Sequence, residues 1–497
     1  MYVHTQDEAS GGAWTMRPGV VEADVVLDGG ASDAHHVVQV RNPADVEQVV
    51  GTYPALEVHH VDRAVDHAVR AQPNWAEATA AERFERLRRG VAAMQDVGEL
   101  DTLLVREQGK ALWEASFEIA FPEAALGALE EHVEWLDAGE LVIDDGMGRA
   151  WVHSEPFGVV GIITPWNWPY AIPAVKTLPA LLAGNAVVLV LAPTAPLAAL
   201  AGFAALADHL PRGVLSVLTG PGPKIGQRLV EHPAVGKISF TGSTATGRLI
   251  AGAASETLKS QVLELGGNDP AVILPDCELD EALFANIVGA AFLTTGQVCM
   301  AIKRVYAPAS RVDEIAEGVA AILDTFVIGD GLDPDTTMGP LHCQTQRDKV
   351  SGLVQAARES GARIRECGDL RGDPERGWFL RPCVVTGIDQ AAPLVQEEQF
   401  GPALPIIGYG RVDEAVAMAN DSPFGLCSSI WTSDESAALP LARRVQAGST
   451  FINNHGLFAV DPRAPFGGMK HSGIGREFGR VGLAAFCEPH TVSTRHL

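Results

Sequence analysis

The sequence predicts an α/β protein made of two doubly wound domains. Three observations predict this fold class. Apolar segments of strand length alternate with helical segments, Gly and Pro residues stand between them, and apolar residues make up 47% of the 497 residues. Strands that alternate with helices are typical of parallel βαβ units. Two such units without a flexible tether predict a binding site in the cleft between them.

The N-terminal part of the chain predicts helices after an irregular start. Residues 1–20 are expected to form a loose tail, and 25–29 with the turn Asn42-Pro43 a short antiparallel opening. The helical prediction that follows rests on apolar spacing. It is carried by Val61, Val65, Ala68 and Val69 and by the charged segments 81–94 and 99–107.

The rest of the chain predicts two sets of strands with helices between them. The first set consists of apolar segments that end in Gly or Pro turns, at 159–164, 186–191, 214–220 and 237–243. The second set begins with a strand at 270–274 and continues with helices 280–295 and 311–325 and a strand near 403–408. We expect one parallel sheet from each set.

One uncharged passage, 177–207, has the apolar character of a membrane span. It is broken by Pro179, by Gly184-Asn185 and by Pro193 and Pro196, whereas a spanning helix needs about 20 continuous apolar residues. The passage is therefore predicted to contain a buried strand between two helices.

Charge and cysteine usage exclude several classes of protein. The net charge of −25 repels phosphate backbones and anionic lipids, so neither nucleic acid nor a membrane is an expected partner. The N-terminus lacks the apolar segment of a secretory signal. Seven cysteines without a CxxC pair predict free thiols in a cytoplasmic protein, and the fifteen histidines show no ligand spacing, so no metal site is expected.

Four short motifs carry candidate chemistry, and each has a purely structural alternative. Cys299 in Gly-Gln-Val-Cys is a candidate thiolate nucleophile if a turn before a helix lowers its pKa, or else a buried core cysteine. Glu264, in an apolar run before two glycines, is a candidate desolvated base or a strand-end residue.

The other two motifs stand at predicted strand ends. Gly242 and Ser243 open a helix whose N–H groups can face a pyrophosphate, although the GxGxxG spacing is absent. Asn167 lies between Trp166 and Trp168, where its amide can donate to an oxyanion or cap the chain between two packed rings.

Together and in this order, the four motifs resemble those of the aldehyde dehydrogenase superfamily. Glu264-Leu-Gly-Gly stands 35 residues before Cys299, and 397–402 (Glu-Glu-Gln-Phe-Gly-Pro) and 465–473 (Pro-Phe-Gly-Gly-Met-Lys-His-Ser-Gly) follow. From Asn42-Pro43 to Gly473 the resemblance covers over 400 of the 497 residues.

The resemblance implies a role for each matched position. Cys299 is the expected nucleophile, Asn167 and the Cys299 N–H the oxyanion donors, and Glu264 the base for the deacylating water. Lys176 and Glu477 match two polar positions that assist catalysis or relay protons. The expected cofactor contacts match Thr164, Trp166, Gly242, Ser243, Glu398 and Phe400, with Ser243 at the pyrophosphate and Glu398 at the nicotinamide ribose.

The implied activity is oxidation of an aldehyde to the acid with a nicotinamide cofactor, through a thiohemiacetal and a thioester on cysteine. Two alternatives remain open. A relative that transfers the acyl group to CoA typically lacks the carboxylate that Glu264 supplies here. A binding or structural protein with impaired cofactor affinity is the other alternative.

The resemblance also implies the organisation of the chain. Residues 1–133 and 152–265 form the expected dinucleotide-binding domain, and 266–479 the expected catalytic domain. Residues 134–151 and 480–497 match a bridging arm that pairs subunits into dimers or tetramers, and the alternation in 140–144 fits an edge strand that needs a partner.

Two departures from the family pattern concern the cofactor. The usual Lys and Glu that hold the adenosine ribose are Val190 and Pro193 here. Two lost hydrogen bonds correspond to about 1–3 kcal/mol of affinity. No Arg or Lys stands nearby in sequence to attract a 2′-phosphate, so NAD is favoured over NADP, with weak binding. Thr294 and Ala245 replace a common Asn and Glu.

The expected substrate tunnel is apolar. Its predicted lining comprises Trp168, Tyr170, Leu293, Val298, Met300 and residues 452–455, without a cluster of cations. An apolar or aromatic aldehyde is therefore expected rather than a carboxylated semialdehyde. His455 is either a substrate contact or a satisfied structural residue.

Overall fold

The computed structural model describes residues 14–15 and 37–495. The predicted opening at 25–29 lies outside the described residues, as does most of the predicted tail. Trp14–Thr15 forms a strand beside Gly51 and Thr52, so these two residues are not the loose tail that was expected.

The described residues contain 21 strands and 16 α-helices. The strands are β1 (Trp14–Thr15), β2 (Val37–Asn42), β3 (Asp45–Pro54), β4 (Glu140–Asp145), β5 (Gly148–Pro156), β6 (Val159–Ile163), β7 (Ala186–Val190), β8 (Leu215–Leu218), β9 (Val235–Thr241), β10 (Ser260–Glu264), β11 (Asp269–Ile273), β12 (Ile302–Pro308), β13 (Val327–Ile328), β14 (Arg363–Glu366), β15 (Asp369–Leu370), β16 (Cys383–Thr386), β17 (Ala403–Tyr409), β18 (Cys427–Trp431), β19 (Ser449–Ile452), β20 (Gly473–Ile474) and β21 (Cys487–Arg495). The helices are α1 (Val58–Glu77), α2 (Ala80–Gln95), α3 (Leu100–Gln108), α4 (Leu112–Gly127), α5 (Val133–Ala138), α6 (Ala171–Leu182), α7 (Leu197–Ala207), α8 (Gly222–Glu231), α9 (Thr244–Ser255), α10 (Glu281–Phe292), α11 (Val312–Leu323), α12 (Gln344–Glu359), α13 (Pro393–Gln396), α14 (Val412–Asn420), α15 (Glu435–Ala442) and α16 (Gly479–Ala484).

A six-stranded sheet in the order β20-β10-β9-β6-β7-β8 occupies one half of the molecule, and its strands are parallel except for β20. Strand β7 shows why this sheet is covered on both faces. Val187 and Leu189 pack into a core with α2, α3, α6 and α7, whereas Val188 and Val190 pack into a second core with α1 and α8. Successive strand side chains point to opposite faces, so a fully apolar strand needs helices on both sides.

A seven-stranded sheet in the order β14-β16-β17-β12-β11-β18-β19 forms the other half, and only its edge strand β14 runs antiparallel among the described pairs. Ala271 and Ile273 of β11 face a core with α10 and α11, and Val272 faces a core with α12 and α14. Two doubly wound sheets confirm the predicted α/β fold class.

A third sheet, β21-β5-β4, is antiparallel and projects from these two layers. All six residues of its edge strand β4 are exposed, including Leu141, Val142 and Ile143. Strand β5 continues to Pro156, five residues past the segment 134–151.

The passage 177–207 folds as predicted, with the buried strand β7 between α6 and α7. Over residues 14–15 and 37–495, no helix combines the length and apolar character that crossing a bilayer requires. Helix α10 ends at Phe292 instead of continuing to 295, because Thr294, Thr295 and Gly296 adopt left-handed φ angles of 51°, 58° and 73°. Helix α1 buries Val61, Val65 and Ala68 as predicted, but Val69 is exposed.

Candidate active site

A cavity of about 770 Å³ contains most of the predicted catalytic residues. Its walls are mainly apolar, and its polar groups are the side chains of Asn167, Thr241, Glu264, Cys299 and Glu477. The structure thus brings together residues that lie up to 310 positions apart, from Asn167 to Glu477.

Cys299 lies in a turn that leads into strand β12, and no helix follows it. The predicted turn before a helix is therefore wrong, and no helix N-terminus lowers the pKa of the thiol. Burial, together with the nearby carboxyl groups of Glu398 and Asp269, raises the pKa of Cys299 to about 12, against the opposing charge of Lys303. In this environment the thiol carries its proton at neutral pH.

The left-handed residues before Cys299 are anchored from several sides. Thr294 N donates to Glu114 at 2.5 Å, and Thr295 Oγ1 donates to Gly339 O at 2.9 Å. Lys303 Nζ donates to Gly296 O at 2.5 Å. A non-glycine residue is strained in this conformation, and these bonds fix the loop that presents the thiol.

Asn167 reaches the loop that carries the nucleophile. Its Nδ2 donates to Gln297 O at 2.9 Å, and the side chain lines the cavity beside Cys299. An amide nitrogen carries two hydrogens, so one hydrogen holds the loop while the second is available to an oxygen inside the cavity. This geometry suits a donor to an oxyanion that forms on an atom bonded to Cys299.

We expect Asn167→Ala to lower kcat roughly 10²–10³-fold, because removing one oxyanion donor typically has an effect of this size. Steady-state kinetics on a good aldehyde substrate measures it. Asn454→Ala is a suitable control, since this exposed amide lies outside the cavity lining. A nearly normal kcat for Asn167→Ala would remove this residue from the role.

Glu264 ends strand β10 and faces the same cavity. Neither of its carboxylate oxygens accepts a hydrogen bond from the described residues. Burial raises its pKa well above the usual range, and the charge of Glu477 adds to this effect while Lys176 opposes it. A carboxylate that is desolvated and unpaired is a stronger base than one in water.

Lys176 and Glu477 form a buried ion pair next to this carboxylate. The Nζ–Oε1 distance is 2.5 Å, and Lys176 Nζ also donates to Ser239 Oγ at 3.2 Å. Glu477 lines the cavity together with Glu264. The pair therefore provides proton-carrying groups beside the candidate base.

The residues predicted to bind the cofactor lie along the ends of parallel strands. Gly242 follows β9, and Ser243 is the N-cap of α9, with its Oγ accepting from Thr246 N at 3.2 Å. Thr164 follows β6 and bonds to Val190 O through its N at 3.1 Å. A helix N-terminus at a strand end suits a phosphate group.

A second group of these residues surrounds the segment 398–400. One carboxylate oxygen of Glu398 accepts from Gly267 N at 3.0 Å, and the other lies where a Cβ on Gly266 would come within 2.5 Å. Phe400 has a left-handed φ of 52°, and its ring meets the Trp166 ring edge-on at 5.7 Å. Glu398 thus retains acceptor capacity for a pair of hydroxyls, which fits a ribose.

Val190 and Pro193 occupy the two positions at which a Lys and a Glu were expected to hold the adenosine ribose. Neither residue provides a polar side chain there. Val190 is fully buried in the core beneath the sheet. Pro193 lines a cleft of about 1040 Å³, and its carbonyl accepts from Tyr53 Oη at 2.8 Å. Arg41 lines the same cleft, but its guanidinium already donates to Val46 O, Glu47 O and the Gln39 side chain.

Several predicted lining residues lie elsewhere. Trp168, Val298 and Met300 do line the cavity, but Tyr170 is buried against Phe203, and Leu293 and residues 452–455 are absent from the described lining. Leu457 and Val460 take their place. His455 is completely buried, with its Nε2 3.5 Å from Asp269 Oδ2, so of the two alternatives for this residue the structure favours the structural one.

The sequence analysis missed Lys110, Glu114 and Glu118, three fully buried charged residues beside Asn167 and the nucleophile loop. A signal was present. Glu114 and Glu118 stand four residues apart in the mainly apolar helix Leu112–Gly127, a spacing that places two carboxylates on one face.

Comparisons with known proteins agree with this geometry. The family model described as "Aldehyde dehydrogenase family" matches residues 31–492. The chain is 37% identical to "Geranial dehydrogenase" of Castellaniella defragrans, over 89% of this chain and 92% of that protein. It is 35% identical to "Glutarate-semialdehyde dehydrogenase" of Pseudomonas putida, over 92% and 94%. A Mycobacterium tuberculosis aldehyde dehydrogenase complexed with NAD+ superposes with a TM-score of 0.87 at 35% identity, over 92% and 94%.

Proposed function

The chain belongs to the aldehyde dehydrogenase family, and from this premise we propose that it oxidises an apolar aldehyde to the carboxylic acid with NAD. The observation that carries the proposal is a mainly apolar cavity in which a cysteine, an amide donor and an unpaired carboxylate meet. The reaction class, NAD(P)-dependent oxidation of an aldehyde, follows from the family.

The residues present fit a nicotinamide dinucleotide, because Ser243 begins a helix directly after a strand and Glu398 retains an oxygen that can accept from ribose hydroxyls. We propose that Gly242 and Ser243 hold the pyrophosphate. Glu398 and Phe400 would hold the nicotinamide ribose and ring, with Thr164 and Trp166 beside them. The bound dinucleotide supplies the acceptor for the hydride that leaves the substrate carbon.

The first chemical step belongs to Cys299. Its sulfur attacks the aldehyde carbon, and the carbonyl oxygen becomes an oxyanion that accepts from Asn167 Nδ2 and from the Cys299 N–H. The thiol proton leaves to solvent as the attack occurs, so Glu264 remains unprotonated for the second half of the reaction. Loss of hydride from this adduct leaves a thioester on Cys299.

Glu264 then takes a proton from a water molecule, which attacks the thioester carbon and releases the acid and the thiol. The Lys176–Glu477 pair gives the proton on Glu264 a route away from the cavity. The presence of Glu264 in the cavity favours transfer of the acyl group to water over transfer to CoA.

The substrate class is argued from the lining of the cavity. Its apolar side chains include Phe121, Trp168, Ile172, Leu457 and Phe466, and no Lys or Arg belongs to the described lining. A second carboxylate on the substrate would lie near Glu264 and Glu477 without a cation to offset its desolvation.

A panel of aldehydes tests this substrate class. We expect kcat/KM to be higher for phenylacetaldehyde and for medium-chain aliphatic aldehydes than for succinic semialdehyde. Preference for the semialdehyde would contradict the proposed class and leave the reaction type intact.

The choice of NAD over NADP rests on the cleft beside Pro193. Arg41 is the one permanent cation among the described residues that line this cleft, and three of its hydrogen bonds already hold it to the hairpin β2–β3. A 2′-phosphate would therefore compete with the hairpin for this one guanidinium. Saturation curves with both cofactors test the choice, and a much lower KM for NADP would overturn it.

We expect Pro193→Glu to tighten NADH binding about tenfold, because a carboxylate at this position accepts from the ribose hydroxyls and each added bond contributes about 1 kcal/mol. The same charge is expected to weaken NADPH binding by repelling its phosphate. Titration of nicotinamide fluorescence measures both dissociation constants, with Pro193→Gln as the uncharged control. Equal effects of Glu and Gln on NADPH would argue against the charge.

We also propose the division into a dinucleotide-binding domain (1–133 and 152–265), a catalytic domain (266–479) and an oligomerisation arm (134–151 and 480–497). The exposed apolar side chains of β4, Leu141, Val142 and Ile143, support pairing of this edge strand with a second subunit. Analytical ultracentrifugation tests the proposed homodimer or homotetramer, and a monomer at micromolar concentration would contradict it.

A further inference from the structure

Lys110 is buried between the first turns of α4 and the segment that carries Asn167. Its Nζ donates to the carboxylate of Glu118 and to Asn167 O, the latter at 3.1 Å, and it lies 4.3 Å from the centre of the Trp168 ring. Neither Lys110 nor Glu118 has exposed side-chain surface. The backbone of Asn167 is therefore held by a buried ammonium group.

Glu118, the partner of Lys110, also binds the first residues of α6. Its Oε1 accepts from Tyr170 N at 2.8 Å and from Ala171 N at 3.1 Å. These N–H groups lie at the N-terminus of α6, where a carboxylate is favourable. Asn167 and the residues that follow it, up to Ala171, are thus fixed by one carboxylate and its lysine partner.

Glu114 lies one turn earlier on α4 and binds the loop that leads to Cys299. Its Oε1 accepts from Thr294 N at 2.5 Å, and its Oε2 accepts from Ala111 N at 2.9 Å. Thr294 begins the left-handed run that leads to Cys299. The same helix face therefore holds the loop of the nucleophile and the segment of Asn167.

We propose that Lys110, Glu114 and Glu118 form a positioning cluster that sets the distance between the two oxyanion donors, Asn167 Nδ2 and the Cys299 N–H. The hydrogen bond from Asn167 Nδ2 to Gln297 O links the segment of Asn167 directly to the loop of Cys299. This inference rests on the proposed function, in which both groups donate to one oxygen. None of the three side chains lines the described cavity, so they act through the residues that they hold.

The charges make the cluster sensitive to conservative changes. Glu107 lies nearby, and burial raises its pKa to about 8, while burial also raises the pKa of Glu114. Lys110 and Glu118 then remain as a direct ion pair. A single neutralisation leaves an unpaired buried charge, whereas the double variant Lys110→Met/Glu118→Gln removes both charges together.

A double-mutant cycle with Asn167 tests the first half of the proposal. We expect Glu118→Gln and Lys110→Met/Glu118→Gln to lower kcat about 10–100-fold with KM changed less than threefold, since displacing a catalytic donor by about 1 Å has effects of this order. In the Asn167→Ala background the same changes are expected to lower kcat less than threefold. Glu123→Gln, an exposed glutamate of the same helix, is the matched control and should have the wild-type kcat.

Alkylation of Cys299 by iodoacetamide tests the second half without requiring turnover. We expect Glu114→Ala to change the alkylation rate at least fivefold, because it removes the oxygen that accepts from Thr294 N, and Glu118→Gln to leave the rate within twofold. Equal losses of kcat from Glu118→Gln in the presence and absence of Asn167 would overturn the positioning role, as would an unchanged alkylation rate in Glu114→Ala. The wild-type chain could fail to oxidise aldehydes while the variants still show this alkylation pattern. That outcome would reject the proposed function but retain the role of Glu114 in holding the loop of Cys299.

Discussion

Replacing Cys299 by Ala is expected to lower aldehyde oxidation by at least about 10⁴-fold, because the variant cannot form the covalent adduct on which the later steps depend. Cys299 is the one cysteine in the described lining of the cavity. The effect should fall on kcat, and NADH binding should remain within about twofold of the wild type. Steady-state kinetics and fluorescence titration measure the two quantities separately.

Cys367→Ala provides the control, since this buried cysteine belongs neither to the described lining of the cavity nor to that of the cleft beside Pro193. Its kcat is expected to stay at the wild-type value. Comparable losses in both variants would point to a general effect of cysteine removal on the fold. Persistent oxidation by Cys299→Ala would reject the covalent mechanism.

Replacing Glu264 by Gln is expected to separate the two halves of the reaction. The first half still forms NADH, but the thioester is no longer hydrolysed by an activated water, so steady-state turnover falls about 10²–10⁴-fold. Rapid mixing should show a burst of NADH, which no longer continues into turnover. Mass spectrometry of the stalled mixture should show an acyl group on the peptide that contains Cys299.

The pH dependence of the deacylation rate provides a second test of the role of Glu264. Burial and the charge of Glu477 raise the pKa of Glu264, so the fraction of the base form increases as the pH rises through that shifted pKa. The rate of deacylation in the wild type should therefore increase with pH over this range, and in Glu264→Gln this increase should disappear. Glu397→Gln, an exposed carboxylate, is the control, and the same loss of pH dependence there would assign the titration to another group.

The sequence predicted those parts of the fold that local patterns determine. Strand β7 is fully apolar and bounded by Gly184-Asn185 and Pro193, so its identity as a buried strand between helices followed from local chemistry. Ser243 after an apolar strand likewise predicted a helix N-cap. The extent of α10 was predicted poorly, because Thr294 and Thr295 leave the helix for a reason that lies in tertiary contacts with Glu114 and Gly339.

The candidate site was predictable only as a set of separate motifs. Their order along the chain resembled a known family, but their arrangement depends on contacts between distant segments. Spacing alone did not place His455 beside Asp269 or Tyr170 against Phe203, because pairing across helices and sheets decides both positions. The roles of Lys110 and Glu118 emerged only when α4 and the Asn167 segment were seen in contact.

The left-handed run before Cys299 has a consequence for heat inactivation. Two non-glycine residues in this conformation cost roughly 1–2 kcal/mol each, and a few hydrogen bonds to Glu114, Lys303 and Gly339 offset that cost. Loss of those bonds on warming lets Thr294 and Thr295 relax while both large sheets stay folded. The half-life of activity then reports how long this three-residue run keeps its conformation, not how long the whole molecule stays folded, and an aldehyde analogue bound in the cavity would lengthen it.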